Sequence, residues 1–163
     1  MTRKRIHPRP LDRTDRRILE CLQNDGRISN VALARKVNLT PTPCLERVKR
    51  LERDGYIKGY TALLDPEMVG SGLLIFVEID LAHTSPDVFR DFREEASQLS
   101  EVLECHLVSG NFDYLIKARV RDMQEYRDLL GEKILSLPGV KGSRSYVVME
   151  EVKETLALPM FKS

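Results

Sequence analysis

The sequence predicts an α+β fold in two parts, a small helical domain followed by a mixed domain. Residues 11–54 contain three short segments with helical periodicity, and from residue 73 onward strand and helix patterns alternate. Charge changes sign between the halves: residues 1–64 carry 15 Lys and Arg against 7 Asp and Glu, whereas residues 65–163 carry 11 against 18. Such asymmetry suggests that one half meets a polyanion and the other has a different task, although two solvated surfaces are the alternative.

The three N-terminal helices have clear start and stop signals. They begin at good capping residues, Asp12, Ser29, and Thr40 or Thr42, and they end at Asn24-Asp25-Gly26, Asn38 and Gly55. Helical spacing predicts inward side chains at Ile18, Leu19 and Leu22 in the first helix, Val31, Leu33, Ala34 and Val37 in the second, and Leu45, Val48 and Leu51 in the third.

The third helix then presents a basic outer face. Two short helices joined by a tight turn, the second of them cationic, are typical of a helix-turn-helix that enters the DNA major groove. We expect Thr42, Pro43 and Arg47 to lie near bases, and the phosphate candidates are Ser29, Asn30, Lys49, Arg50 and Arg53; Thr40 completes the set. The alternative for each cation is a solvated helix face, supported by the spacing of Glu46 and Arg50.

Residues 11–64 form the predicted DNA-binding domain, a winged helix-turn-helix in which residues 56–64 are an extended wing or linking strand. Residues 1–10 read as a basic arm that could touch phosphates, with an inert disordered tail as the alternative. Residues 65–72 are the predicted linker to the second domain.

Residues 73–153 follow the order β-α-β-β-α-β, which predicts a ferredoxin-like domain with an antiparallel sheet and helices on one face; residues 154–163 are a tail. Predicted strands are Leu73–Leu81, Val102–Val108, Tyr114–Val120 and a last strand within Val140–Val152. The predicted helices start at Ser85-Pro86 and at Asp122, the second with Met123, Tyr126, Leu129, Leu130 and Ile134 mostly inward. The strand Tyr114–Val120 lacks the displayed aromatic residues of an RNA-recognition motif, so RNA binding is disfavoured.

The turn Ser109-Gly110-Asn111-Phe112-Asp113 is the most suggestive segment of this second half. Backbone N–H groups of a glycine-containing turn can hold a carboxylate, and Asp113 could hold an ammonium group. The pair would suit a zwitterion such as a free amino acid. A plain hairpin turn with a solvated aspartate is the alternative, and the residues alone favour it.

Several functional classes lack support. No nucleophile–base pair or phosphate loop is recognisable, so an enzyme is not predicted. The odd cysteine count (Cys21, Cys44 and Cys105), without close spacing, argues against disulfides and metal ligation and indicates a reducing cytoplasm. The longest apolar runs, such as Leu73–Val77, are too short to span a bilayer, and the N-terminus lacks the apolar core of a secretion signal.

The stretch GRISNVALARKVNLTPTPCLERVKRLERDGYIKGYTALLDP resembles the DNA-binding half of the Lrp/AsnC transcription regulators. ECHLVSGNFDYLIKARVRDMQEYRDLLGEKILSLPGV, followed by SYVVMEEVK, resembles their effector-binding half. The likeness runs from about Leu11 to Lys153. Asn111, Arg121 and the tail Thr155–Ser163 depart from the family pattern, beside the expected pocket and assembly surface.

The resemblance implies a homodimer formed through the second domain and the linking strand, assembling further, commonly into an octamer. It also implies a small amino acid bound between dimers, with effector positions at Gly110, Asp113, Met123, Tyr146, Val147 and Val148. We therefore expect a cytoplasmic, nucleoid-associated regulator of amino-acid metabolism that binds double-stranded DNA and responds to a small amino acid such as leucine, without another cofactor. An architectural DNA-organising protein that ignores small molecules is the first alternative, and an enzyme or metabolite-binding protein with an incidental basic helix is the second.

Overall fold

The computed structural model describes residues 9–160, so most of the predicted basic arm, residues 1–10, lies outside the described residues. The described chain divides into two compact units. Residues 9–63 and 153–160 form the first, and Leu64–Val152 form the second. None of the helices within residues 9–160 is long and apolar enough to cross a membrane.

The first unit contains three helices, α1 (Arg13–Asn24), α2 (Asn30–Lys36) and α3 (Pro41–Arg53). Asp12 caps α1 through a capping box with Asp15, and Ser29 caps α2, as predicted. Thr40 occupies the cap position of α3 without a side-chain bond to the helix start. Asn38 adopts the left-handed conformation predicted for it, with φ 58°.

The core of the first unit confirms most inward positions but corrects two of them. Ile18, Leu33 and Leu51 are fully or almost fully buried. Leu45, expected inside, is 39% exposed, and Cys44 takes the core position instead; Val31 is 49% exposed. The buried stripe of α3 therefore runs through positions 44, 48 and 51, which is an equally regular helical spacing.

The wing or linking strand predicted at residues 56–64 is not formed within the described chain, where these residues belong to no helix or strand. The Tyr60 hydroxyl donates to Glu52 Oε1 of α3 at 2.9 Å, and the Tyr60 ring lies close to the turn at Gly26. Burial, reinforced by this bond to Glu52, raises the pKa of Tyr60 to about 12. The linking segment is thus attached to the helices of the first unit.

The C-terminal tail returns to the first unit. Gln23 on α1 donates from Nε2 to the Leu158 carbonyl at 3.1 Å, and its Oε1 accepts from the Leu158 N–H at 2.6 Å. Met160 packs against the helical core. The tail is therefore a structural part of the helical unit.

The second unit consists of β1 (Leu73–Leu81), α4 (Pro86–Ala96), β2 (Val102–Leu107), β3 (Tyr114–Val120), α5 (Met123–Asp128) and β4 (Val140–Val147). The strand order β2-β3-β1-β4, antiparallel throughout, confirms the ferredoxin-like prediction. Residues Leu129–Ile134 continue α5 as a π-helical turn, which the sequence pattern did not predict.

One face of the sheet carries the core, and the opposite face, called the open face below, is only partly covered, with Leu74 and Arg119 buried at one end of it. Ile75, Val77 and Ile79 of β1 pack with Tyr114, Ile116 and the α4 residue Phe92, whose ring lies 4.3 Å from that of Tyr114. Met123, predicted mostly inward, is 48% exposed. Alternation along the strands places Phe76, Glu78 and Lys117 on the open face.

Candidate DNA-binding and effector-binding sites

The turn between α2 and α3 is fixed by two of the predicted phosphate contacts. Ser29 Oγ accepts from the Ala32 N–H at 3.2 Å, and Asn30 Nδ2 donates to the Pro41 carbonyl at 2.8 Å. The second bond joins the first residue of α2 to the first residue of α3. Ser29 and Asn30 therefore set the geometry of the turn, whatever else they contact.

The outer face of α3 is polar and partly basic. Thr40, Thr42 and Pro43 are exposed around its first turn. The Lys49 and Arg53 side chains are 60% and 74% exposed, and each has one loose acidic neighbour, Glu46 at 3.9 Å and Asp54 at 3.5 Å. These two cations are available to a partner because exposed pairs at such distances hold a side chain only weakly.

Arg47 and Arg50 differ from the other cations of α3 because α1 holds them. Arg47 Nη1 donates to Asp12 Oδ2 at 2.5 Å and to Asp15 Oδ1 at 2.8 Å. Arg50 Nη2 lies 2.5 Å from the same Asp15 oxygen. The Arg50 side chain is 17% exposed and that of Arg47 33%, so both predicted outer-face cations are partly covered, Arg50 the more so.

The electrostatics of this group favour the charged forms. The hydrogen bonds that Arg47 donates to the Asp12 and Asp15 carboxylates raise the pKa of Arg47. Burial would raise the pKa of Asp12, but the bonds that it accepts from Arg47 and from the backbone N–H groups lower it overall. A cavity of about 250 Å³ opens beside the group, lined by Arg9, Asp12, Glu46, Arg47 and Arg50.

The contacts that Asp12 and Asp15 make with the arginines of α3 are not predicted from the sequence. The sequence predicts Asp12 as the cap of the first helix, which is correct but incomplete. The sequence feature that could have indicated these contacts is the pair of arginines Arg47 and Arg50, spaced i, i+3 on the helix that packs against α1.

The turn predicted to bind an effector lies at one end of the sheet. Gly110 is exposed in the β2–β3 connection, and Asp113 is half-buried just before β3. Asp113 Oδ2 accepts from the Leu81 N–H at 2.8 Å, and the Asp113 N–H donates to the Ile79 carbonyl at 2.9 Å. One carboxylate oxygen thus already serves the fold, and Asp113 is not the solvated aspartate of the plain-hairpin alternative.

The remaining effector candidates lie at the other end of the sheet. Val147 pairs with Ile75, the Val148 N–H donates to the Leu74 carbonyl, and Met123 starts the helix after β3. Since Asp113 lies beside Ile79, the two groups are separated by four β1 residues, about 13 Å. Tyr146 and Val147 also point to opposite faces, with the Tyr146 hydroxyl donating to Glu78 at 3.0 Å. A single chain therefore does not gather the six positions into one pocket.

Within residues 9–160 there is no group of three or more His, Cys, Asp or Glu side chains arranged to hold a metal ion. A helix-turn-helix with exposed cations on its second helix defines a DNA-binding protein, and here it shares the chain with a ferredoxin-like unit.

Comparison with known families specifies the class. Residues 11–58 match the model of a winged helix-turn-helix DNA-binding domain, and residues 74–158 match that of the Lrp/AsnC ligand-binding domain. The chain belongs to the Lrp/AsnC family of transcriptional regulators. The prediction of a transcription regulator and not an enzyme is confirmed by this membership.

Similar proteins support the assignment over most of the chain. The leucine-responsive regulatory proteins of Klebsiella pneumoniae and Escherichia coli strain K12 are each 62% identical over 145 residues, covering 89% of this chain and 88% of theirs. A transcriptional regulator from Neisseria meningitidis, solved in complex with L-Met, superposes with a TM-score of 0.88 at 39% identity, over 92% of this chain and 97% of that one. An AsnC family regulator from Agrobacterium tumefaciens gives 0.88 at 37% identity, over 91% and 97%.

Proposed function

We propose that this protein regulates transcription in response to a small amino acid, with leucine and methionine as the first candidates. One observation carries the proposal: a basic helix-turn-helix and a Lrp/AsnC ligand-binding domain occupy the same chain. The relatives named for a leucine response and the neighbour solved with L-Met support this class of effector. Its place of action is the cytoplasm, on the DNA of the nucleoid.

DNA contact falls to the exposed start of α3 and to its most exposed cations. Thr42 and Pro43 are placed to reach base edges, because the N-terminal residues of a recognition helix enter the major groove. Thr40, Lys49 and Arg53 are placed for phosphates. Arg47, whose described bonds all run through Nη1, keeps its other N–H groups for a base or a phosphate. Ser29, Asn30 and Arg50 contribute mainly by holding the turn and the helix.

The effector binds between copies of the chain. Gly110 and Asp113 lie too far along the sheet from Met123, Tyr146, Val147 and Val148 to share one small ligand within a single chain. A neighbouring copy brings one group close to the other. The backbone N–H groups of the turn then receive the ligand carboxylate, and the second Asp113 oxygen receives its ammonium group.

Assembly supplies those copies. Residues 56–64 belong to no helix or strand in the described chain, and Leu63, Leu64, Met68 and Val69 are exposed around the second-unit boundary. We infer a dimer that pairs these segments and covers the open sheet face, with dimers associating into a higher oligomer, an octamer being the size that we propose. The ligand shifts the population between assemblies and so changes how many recognition helices engage one DNA segment.

Calorimetry on the full-length protein tests the ligand part of this proposal. The panel is L-leucine, L-methionine, L-alanine, L-proline and L-asparagine, with D-leucine as a negative control. Asp113→Asn keeps an oxygen for the Leu81 N–H but removes the charge that would hold an ammonium group, so it should weaken binding. Asp87→Asn removes an equal charge from an exposed position, 78% accessible, and should bind as the wild type does.

Binding of at least one L-amino acid that Asp113→Asn weakens and Asp87→Asn does not supports the proposal. If none of the five produces heat while the protein still retains DNA, the architectural alternative is correct. If Asp113→Asn binds as tightly as wild type, the pocket lies elsewhere.

A further inference from the structure

A buried carboxylate on α1 meets two cations of the recognition helix. The Asp15 side chain is 1% exposed, and its Oδ1 lies 2.8 Å from Arg47 Nη1 and 2.5 Å from Arg50 Nη2. Its other oxygen accepts the Asp12 N–H at 3.1 Å, completing the capping box of α1. One residue thus joins the start of α1 to the middle of α3.

This arrangement is more than a capping box requires. The acid of a capping box has only to receive a backbone N–H, and it does so at the solvent-exposed start of a helix. Here the acid is buried, which is unfavourable for a charge unless paired cations and hydrogen bonds surround it. Asp12 adds a second contact to Arg47 at 2.5 Å, so Arg47 is held by two carboxylates and Arg50 by one.

The contacts restrict the rotation of α3 about its own axis. Arg47 and Arg50 are three residues apart and lie on the same side of the helix. Packing of Cys44 and Leu51 in the core is apolar and non-directional, whereas hydrogen-bonded ion pairs have defined geometry. With side chains about 5–6 Å from the helix axis, a turn of about 20° moves their tips by about 2 Å. That displacement exceeds the tolerance of a hydrogen bond to a base edge.

We propose that Asp15 is a positioning residue of the DNA interface, which sets sequence specificity by fixing Arg47 and Arg50 and with them the orientation of α3. The inference rests on the DNA-binding function proposed above. Asp15 itself touches no DNA in this account, because its carboxylate is buried and would repel phosphates. It acts through the two arginines and through the exposed Thr42 and Pro43 that turn with them.

The charge of Asp15 makes a positioning role distinguishable from simple neutralisation, because only a positioning role predicts a loss of sequence preference. Loss of a carboxylate makes the helical unit more positive, and this strengthens attraction to any DNA. If Asp15 only neutralised the arginines, Asp15→Asn would raise affinity for every sequence. If Asp15 positions α3, the same change lowers the preference for the correct sequence even though general affinity rises.

The experiment compares Asp15→Asn with Glu20→Gln, an equal charge loss at an exposed position of the same helix. Affinities are measured with the full-length protein on a genomic fragment selected by the wild type and on a shuffled duplex of equal length and composition. We expect Asp15→Asn to reduce the affinity ratio of the two duplexes by about tenfold or more, the scale of one lost base contact. Glu20→Gln should leave the ratio unchanged while both affinities rise slightly.

The ratio separates positioning from stability, since partial unfolding removes active protein equally for both duplexes. Circular dichroism establishes whether Asp15→Asn folds. If it does not, Asp12→Asn decides, because it removes only the outer contact to Arg47 and should lower the ratio by a smaller factor. An unchanged ratio in the folded variant overturns the inference. A wild type that does not distinguish the duplexes overturns instead the proposed sequence-specific function.

Discussion

The cations of α3 fall into two kinds that differ in exposure and therefore in task. Lys49 and Arg53 project into solvent with loose acidic neighbours, whereas Arg50 is largely covered and bonded to Asp15. A surface cation can be removed at little cost, but Arg50 cannot, because its loss would leave the buried Asp15 carboxylate without part of the pairing that offsets its desolvation. Sequence periodicity could place all three on one helix but could not rank their exposure, which depends on where α1 packs.

Arg50→Gln should destabilise the helical unit much more than Lys49→Gln, although both remove one positive charge from α3. Removing Arg50 leaves the buried Asp15 with Arg47 alone, and we expect a loss of about 1–3 kcal/mol. Lys49→Gln should change the free energy of unfolding by about 0.5 kcal/mol or less. Urea unfolding followed by circular dichroism measures both. Equal losses would show that Arg50 is an ordinary surface cation.

The Asp12 contact predicts an acid-sensitive contribution. The pKa of Asp12 is lowered in the folded chain from an ordinary value of 3.8, so the stabilisation is fully present above that value. It disappears as pH falls through the lowered pKa and the carboxylate is protonated. The stability difference between wild type and Asp12→Asn should therefore be constant from about pH 6 to 5 and shrink below about pH 4. Thermal unfolding across this range checks it, and a difference that grows on acidification contradicts the assignment.

Elements were predictable where the chain carries its own signals. The caps at Asp12, Ser29 and Asp122 and the β-α-β-β-α-β order depend on local sequence, and the structure confirms them. The inner face of α3 was predicted with the wrong member, because Leu45 is more apolar than Cys44 and both give a helical repeat. Residues 56–64 form no strand within the described chain since a strand needs a partner, and local sequence does not supply one.

The tail offers a test at this scale. Gln23→Ala removes both bonds to the Leu158 backbone and should speed hydrogen exchange at the Leu158 amide by about fivefold or more, the effect of losing one bond of about 1 kcal/mol. Asn24→Ala is the matched control, because Asn24 bonds only to the Glu20 carbonyl of its own helix. The side-chain amides of Gln23 and Asn24 belong to neighbouring residues but have different partners. Unchanged exchange in Gln23→Ala would show that the tail is held by other contacts.

The two halves of the chain carry net charges of opposite sign, and one chain alone does not bring the candidate effector positions together. Residues 1–64 carry a net +8 and residues 65–163 a net −7, so the first half attracts DNA and the second does not compete for it. The candidate effector positions divide into two groups within one chain, and the linking segment, residues 56–64, forms no strand among the described residues. No residue pattern could reveal that division, since it depends on the register of β4 against β1. The proposed effector site therefore needs more than one copy of the chain.

The protein should therefore not be a monomer of 18.7 kDa at micromolar concentration. Leu63, Leu64 and Met68 are 75%, 69% and 83% exposed in the single chain, a run of apolar surface that association would cover. Light scattering should give a multiple of the chain mass, unchanged by a reductant because Cys44 is buried and burial raises the pKa of both the Cys44 and Cys105 thiols. A monomeric mass, or a mass that falls on reduction, contradicts this view of assembly.

The central claim is that a small amino acid controls where this chain sits on DNA. The most direct measurement is recovery and sequencing of genomic fragments bound by the purified full-length protein, with and without L-leucine and L-methionine. We predict a reproducible set of enriched fragments, some of which gain or lose occupancy when one of these amino acids is present. Identical fragment sets in all conditions, or no enrichment over input DNA, would contradict the claim.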